Sequence, residues 1–289
     1  MRNRFALATS SEVWLADHSS LKDLLTSQRL YKSLSLLLAD RAGINIPASL
    51  LLLAARPDVI ASFISEWGYP LMIRVDYRSR PSAKPLGGIP LYQLDTMNRV
   101  CERIFAGGCL PLFQNDLDRF KDVYSSGVLL SNENDTAEVE AVGSGFDAGD
   151  LRLGKIIPHE TISLDLTRGT AERRRVISDE VYARERSVRA SLVKKLTSYI
   201  SFANQSAMLL SDLNNLDLSS YSVDLEIQIP LHYERMPTEL LSELLQIART
   251  VKTIVLRDLP QSNIYVASLS YLTGVGWLLW DVYGDWYRR

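Results

Sequence analysis

Ile64-Ser65-Glu66-Trp67-Gly68-Tyr69-Pro70-Leu71-Met72-Ile73-Arg74 is the stretch on which the fold turns. Pro57 opens a helix that runs to Trp67, because proline is tolerated in a first helical turn. Gly68-Tyr69-Pro70 then breaks the chain. Leu71 to Val75 follows as a compact apolar strand with Arg74 inside it. A guanidinium is always charged, so on such a strand it needs a partner. A phosphorylated ligand would supply one through bidentate contacts. An ion pair with Asp76 or a distant carboxylate is the structural alternative.

Downstream, Arg78 to Gly88 is rich in Ser, Pro, Lys and Gly and reads as a loop. Lys84, Gly87 and Gly88 stand in it. Glycines let backbone N–H groups approach phosphates, and a lysine adds a point charge. An ordinary exposed connection is the alternative. Ile89 to Leu94 returns as an edge strand because of Pro90. Asp95 caps a helix to about Ala106, and Leu110 to Phe113 is a short strand ending at Gln114-Asn115. Tyr124 to Ser131 and Glu138 to Val142 pair across the turn-forming Asn132-Glu133-Asn134-Asp135. Gly143 to Gly154 is a second glycine-rich loop, and Thr161 to Leu166 another strand.

Then the texture changes. Thr170 to Leu213 reads as one long polar helix with a buried stripe of Val176, Val181, Leu192, Leu196 and Ile200. Val223 to Ile229 alternates as a half-buried strand. Pro237 to Val255 is a helix, and Asn263 to Leu272 with Gly276 to Tyr283 closes the chain as a hairpin. Upstream, Gln28 to Arg41 has helical spacing and Gly43 ends it. Ala48 to Ala55 fits a short helix or a buried strand. Hairpins and helices in blocks give a mixed α+β class. Three segments follow: 1–69, 70–115, and 116–289 with the long helix at 170–213.

Bulk properties narrow the function. The 289 residues are 46% hydrophobic, enough for a sizeable core. A net charge of -2 gives no sign of a nucleic-acid binder. Arg168, Arg173, Arg174, Arg175, Arg184, Arg186 and Arg189 alternate with Glu172, Asp179, Glu180 and Glu185 at pairing distances on a helix. No apolar stretch reaches the roughly 20 residues of a membrane span. Cys101 and Cys109 do not make a disulfide framework, which points to a cytoplasmic protein. With two cysteines and three histidines (His18, His159, His232), a metal would be Mg²⁺ on carboxylates rather than zinc. The terminal aromatics Trp277, Trp280, Tyr283, Trp286 and Tyr287 offer a surface for a second copy or a protein partner.

Two segments resemble the ATP-grasp superfamily, nearest to its phosphoenolpyruvate-synthase-like ATP-binding domain. The first is Ile64 to Arg74 with the loop through Gly88: a helix, a Gly-x-Pro break and a strand bearing a phosphate-touching basic residue. The second is Gly127-Val128-Leu129-Leu130, then Glu140 to Phe146, then Gly154-Lys155-Ile156-Ile157-Pro158-His159. The resemblance implies two α+β subdomains whose antiparallel sheets enclose a nucleotide cleft. It implies ATP and Mg²⁺ as cofactors. Arg74 and Lys84 would hold phosphates, Gly87 and Gly88 would close over them, Gln114 would stand at the adenine-reading hinge, and Glu140 would flank the second glycine loop. Glu226 and Asp281 would bind the metal.

The residues themselves leave alternatives open. Asp224 and Glu226 share one face of a strand and repel unless a cation lies between them, but Gln228 continues the same polar register as a solvated face. Asp281 lies in an otherwise apolar strand. Ala267-Ser268-Leu269-Ser270 carries no carboxylate, and Trp280-Asp281-Val282-Tyr283 stands where the resemblance leads one to look for Gln-x-Arg. The chain therefore reads as an ATP-dependent ligase or phosphotransferase acting on an acceptor the sequence does not name. A non-catalytic nucleotide-binding or scaffold protein is the alternative.

Overall fold

The computed structural model describes residues 4–67, 71–76, 89–91, 94–115, 122–146, 148, 151, 154–188, 190–191, 229–260 and 262–284. The chain divides into two compact units. One takes residues 1–40, 47–117 and 192–226; the other takes 41–46, 118–191 and 227–289. Each is built around a six-stranded sheet that is mostly or wholly antiparallel.

The first unit holds β1 (Phe5–Ala8), β2 (Val13–Leu15), α1 (Leu21–Ser27), α2 (Tyr31–Arg41), β3 (Ser49–Leu52), α3 (Pro57–Trp67), β4 (Leu71–Asp76), β5 (Ile89–Leu91), α4 (Leu94–Ala106) and β6 (Leu110–Asn115). Its sheet runs β2-β1-β3-β6-β4-β5, with β1 and β3 parallel and the other pairs antiparallel. Ala48 to Ala55 resolves as the strand β3. All four of its residues are buried, so both its faces are covered, and this explains why the run shows no alternation. Leu71, Ile73 and Val75 of β4 share one face and join a core with Ile60 and Phe63 of α3 and Val100 and Ile104 of α4. Met72, Arg74 and Asp76 take the opposite face by the two-residue period of a strand. Strands from before and after residue 69 therefore pair in one sheet.

The second unit holds β7 (Asp122–Ser131), β8 (Thr136–Gly143), β9 (Glu160–Asp165), β10 (Thr170–Val176), α5 (Thr238–Asp258), β11 (Ile264–Leu272) and β12 (Gly276–Gly284). The order is β10-β9-β8-β7-β11-β12, antiparallel throughout. Along β8, Ala137, Val139 and Ala141 are buried while Thr136, Glu138 and Glu140 are exposed. Leu241, Leu244, Ala248, Val251 and Val255 form the buried stripe of α5 at alternating three- and four-residue steps. Arg249 Nε donates to the carbonyl of Leu166 at 2.6 Å, and Lys252 Nζ reaches Asp135 at 2.9 Å, so the helix is tied to two hairpin ends. Residues 41–46 also belong here: the N–H of Leu279 on β12 donates to the carbonyl of Asn45 at 2.9 Å.

The long helix expected over 170–213 is corrected at its start. Thr170–Val176 is the edge strand β10, and helix begins only at residue 179. Ala, Glu and Arg favour helix intrinsically, but the chain turns at Gly169 with φ +76°, which sends it back along β9. Charged residues are well suited to such an edge, where they discourage further strand pairing. Residues 189 and 192–213 lie outside the described residues, as does the strand expected from Val223. Among the described residues no helix is long and apolar enough to cross a membrane.

Candidate functional site

On the first unit's sheet, β4 and β6 pair with Arg74 opposite Leu112 and Met72 opposite Gln114. This register brings two of the expected ligand residues together. Arg74 Nη1 donates to Gln114 Oε1 at 3.2 Å. Gln114 is fully buried within β6 and its Nε2 donates to Ser49 Oγ at 3.3 Å. Ser49 Oγ donates in turn to the Pro47 carbonyl at 2.9 Å. The chain Arg74–Gln114–Ser49 thus orients a half-buried guanidinium with a side-chain amide. Asp76 Oδ2 accepts from the N–H and hydroxyl of Ser33 on α2 at 2.8 and 2.7 Å. Asn115 is a strand residue whose Nδ2 donates to the Trp67 carbonyl, so it ties α3 to the sheet rather than forming a turn. Lys84, Gly87 and Gly88 lie outside the described residues.

On the second unit, Glu140 and Asp281 fall on one row of the sheet. Glu140 is opposite Gly127, Gly127 opposite Ser268, and Ser268 opposite Asp281. Directly opposed residues share a face, so both carboxylates stand on the same side. Three strand spacings separate their backbones, roughly 14 Å. Asp281 is fully buried and Glu140 exposed. Partial burial, and secondarily the neighbouring Glu138, raises the Glu140 carboxyl above its ordinary value. One step along the row, Ser125 and Ser270 are buried with their hydroxyls 3.2 Å apart. Buried serines on two strands, β7 and β11, beside an aspartate on β12 give a hydroxyl-lined face. Glu226 lies outside the described residues, and among them no group of three or more His, Cys, Asp or Glu gathers as a cation site.

The second glycine-rich loop is held from below. Its start, Gly143, donates its N–H to His159 Nδ1 at 3.0 Å. A backbone N–H can only donate, so Nδ1 keeps its lone pair and the neutral ring carries its proton on Nε2. Nε2 stands 2.9 Å from Glu185 Oε2, and Glu185 Oε1 accepts from the Ile157 N–H at 3.1 Å. The rings of Phe146, Tyr182 and Tyr233 enclose the imidazole, with centroids 4.6, 4.7 and 5.3 Å away. Burial pushes His159 below its usual value, against the opposing pull of Glu185. Tyr182 is pushed up to about 12 for the same reason. A Cβ at Gly143 would meet Tyr233 Cδ2 at 3.0 Å and Tyr182 Oη at 3.2 Å. Gly143→Ala is therefore expected to destabilise the protein by about 1–3 kcal/mol through overpacking, which thermal denaturation would register as a lower Tm.

Beside this box Glu160 is fully buried. Its Oε1 accepts from Arg173 Nη1 at 2.6 Å, and its Oε2 from the Tyr233 hydroxyl at 2.9 Å and the Met236 N–H at 3.1 Å. Sequence reading nominated neither Glu160 nor Ser49. Glu160 precedes an alternating strand like any flanking acid, and Ser49 is one small residue in a leucine run. The signal for each lies in partners 13 to 76 residues away.

No family model matches the chain, and no curated protein matches it. Solved structures do. The chain is similar to D-alanine–D-alanine ligase from Bacillus anthracis complexed with ATP, at 10% identity and a TM-score of 0.42, over 91% of this chain and 57% of that one. It is similar to the ADP complex of purK, N5-carboxyaminoimidazole ribonucleotide synthetase, at 11% identity and a TM-score of 0.41, over 89% and 45%. It is similar to the ATP-grasp ligase PsnB complexed with minimal precursor, at 13% identity and a TM-score of 0.38, over 89% and 53%. The chain spans about half the length of these structures. They do not single out the phosphoenolpyruvate-synthase-like branch.

Proposed function

We propose that this chain binds ATP in the manner of an ATP-grasp protein and acts as an ATP-dependent ligase or phosphotransferase. The observation that carries the reading is the contact between Arg74 and Gln114. The two residues are 40 apart, were nominated separately, and meet at 3.2 Å on one sheet. The elements around them follow the order helix α3, strand β4 with its arginine, strand β5, helix α4, strand β6. Arg74 is the residue we assign to the phosphates, oriented by Gln114, with Lys84, Gly87 and Gly88 as the loop that covers them.

The donor chemistry of the second unit fits a hard cation. Asp281 and the serine hydroxyls around it are oxygen donors, and Mg²⁺ is commonly held by only one or two carboxylates together with phosphate oxygens. Asp281 and Glu226 are assigned to it and Glu140 to the nucleotide. Bound Mg²⁺ would neutralise phosphate charge. The residues named here would bind and orient, which is where most of the rate of phosphoryl transfer comes from.

The test is isothermal calorimetry with ATP and Mg²⁺. Arg74→Met keeps the stem and removes the charge. Its expected loss is about 1.5–3 kcal/mol, roughly ten- to a hundredfold in Kd. An unchanged Kd in a variant whose circular dichroism and Tm match the parent would sink the assignment. Ser268 opposite Asp281, where no second carboxylate stands, favours a second reading: a nucleotide-binding protein without catalysis. A thermal shift by ATP that does not depend on Mg²⁺, with no ADP formed, would support that reading.

A further inference from the structure

We propose that His159 is an acid-released latch that holds the turn at Gly143–Phe146 against β9 at neutral pH and frees it when the ring takes up a second proton. The case rests on the polarity of its two hydrogen bonds. Nδ1 accepts from the Gly143 N–H at 3.0 Å, and Nε2 faces Glu185 at 2.9 Å. A second proton must go to Nδ1, since Nε2 already bears one. It converts the acceptor for Gly143 into a donor, and two N–H groups then face each other in a buried site. The Glu185 side of the ring is untouched or strengthened by the same event. The break is therefore directional: the Gly143–Phe146 turn is released, while Glu185 still bridges Ile157 and the helical segment at 179–188.

Every neighbour of the ring fits this one-sided release. Gly143 and Phe146 bound the turn that would move, and the Phe146 N–H returns to the Gly143 carbonyl. The strand side is fixed, because the His159 N–H donates to Ala141 and its carbonyl accepts from Ile177. Among the described residues, the titratable groups facing the box are Glu185 and Tyr182 from the helical segment, Tyr233 from residues 229–237, and Tyr124 from β7 through Tyr233. Glu160 and Arg173 neutralise one another next to Tyr233. Arg186 acts on Tyr182. The tyrosines are all raised, so they stay neutral, and among the described residues Glu185 is the carboxylate in contact with the ring. Cation formation is resisted by burial and assisted by that one carboxylate.

The sign follows. The ring is harder to protonate folded than unfolded, so the latch is fully engaged above the unfolded value of about 6.5. It weakens as pH falls below that point toward the lower folded value. Two measurements on the full chain test it. Long-range ¹H–¹⁵N spectra of the histidine side chains read the tautomer directly. With only three histidines the signals are assignable by substitution. We expect the Nε2–H form at pH 7.5 and a titration midpoint below 6.5. Hydrogen exchange, corrected for intrinsic rates, then follows Gly143–Phe146 from pH 7.5 to 5. We expect a rise in exchange of tenfold or more that tracks the ring titration, while Ile157 remains protected.

His159→Asn, whose amide oxygen can replace Nδ1 as acceptor, should remove the pH step. If that variant does not fold, Glu185→Gln serves: without the carboxylate the step should move to lower pH. An Nδ1–H tautomer would overturn the latch. So would loop exchange that ignores the ring titration, a step that persists in His159→Asn, or an unmoved step in Glu185→Gln.

Discussion

Glu160→Ala is expected to remove about 3–5 kcal/mol of stability, the size seen when one partner of a buried, hydrogen-bonded ion pair is deleted. The carboxylate is fully buried and serves three donors: the guanidinium of Arg173, the Tyr233 hydroxyl and the Met236 N–H. Arg173 also donates to the Met236 carbonyl. One carboxylate thus fastens the edge strand β10, the aromatic box and the approach to α5. Alanine leaves the hydroxyl and the N–H buried without an acceptor, and that desolvation is the larger part of the loss. Glu160→Gln keeps the volume, but its NH₂ must face a donor on one side, so about 2 kcal/mol is expected. Urea unfolding followed by far-ultraviolet circular dichroism gives both values. A loss below about 1 kcal/mol for the alanine variant would mean that the three contacts do not act as a buried unit.

Asp76→Ala is the counterpart in the first unit, with an expected loss of about 3 kcal/mol. Asp76 is buried at the end of β4 and holds Ser33, in the first turn of α2, by both its N–H and its hydroxyl. An anion there satisfies an otherwise unpaired helix N–H and meets the positive end of the helix dipole. Lys32 Nζ donates to the Val75 carbonyl at 2.9 Å, so adjacent residues of one turn grip adjacent residues of the strand. Ser33→Ala deletes only the hydroxyl bond and should cost about 1 kcal/mol. Equal losses in the two variants would show that capping of the backbone N–H is not what Asp76 contributes. Both substitutions leave Arg74 in place, which separates this structural role from nucleotide binding.

Much of the architecture was legible because its signals are local. The β7–β8 and β11–β12 hairpins follow from their turn residues and α3 from Pro57 in its first turn, whereas α4 starts at Leu94, so Asp95 lies inside the helix it was expected to cap. What failed was also local in origin. Thr170–Val176 has helix-favouring residues, and only its pairing with β9 makes it a strand. The strands β1 and β2 and the helix α1 were not read at all. They are short, and β1 takes its place by lying parallel to β3, 44 residues further on. Site residues divide in the same way. Arg74 was legible because a charge inside an apolar strand is conspicuous. Its contact with Gln114 was not, because the two residues are 40 apart and meet only through the pairing of β4 with β6. Asp281 was conspicuous for the same reason as Arg74, whereas Ser125 and Ser270 became visible only when three strands were in register.

The carbonyl of Asn45 on β12 bears on how the chain is made. Residues 41–46 leave the ribosome more than 200 residues before the strand they pair with, while the residues on either side of them belong to the first unit. Synthesis is slow next to the closure of a short loop, at about 5–20 residues per second. This strap must therefore wait, roughly ten seconds or more, for its partner strand. The second unit's sheet is complete only when translation reaches β12, and the strap finds its partner no earlier than that.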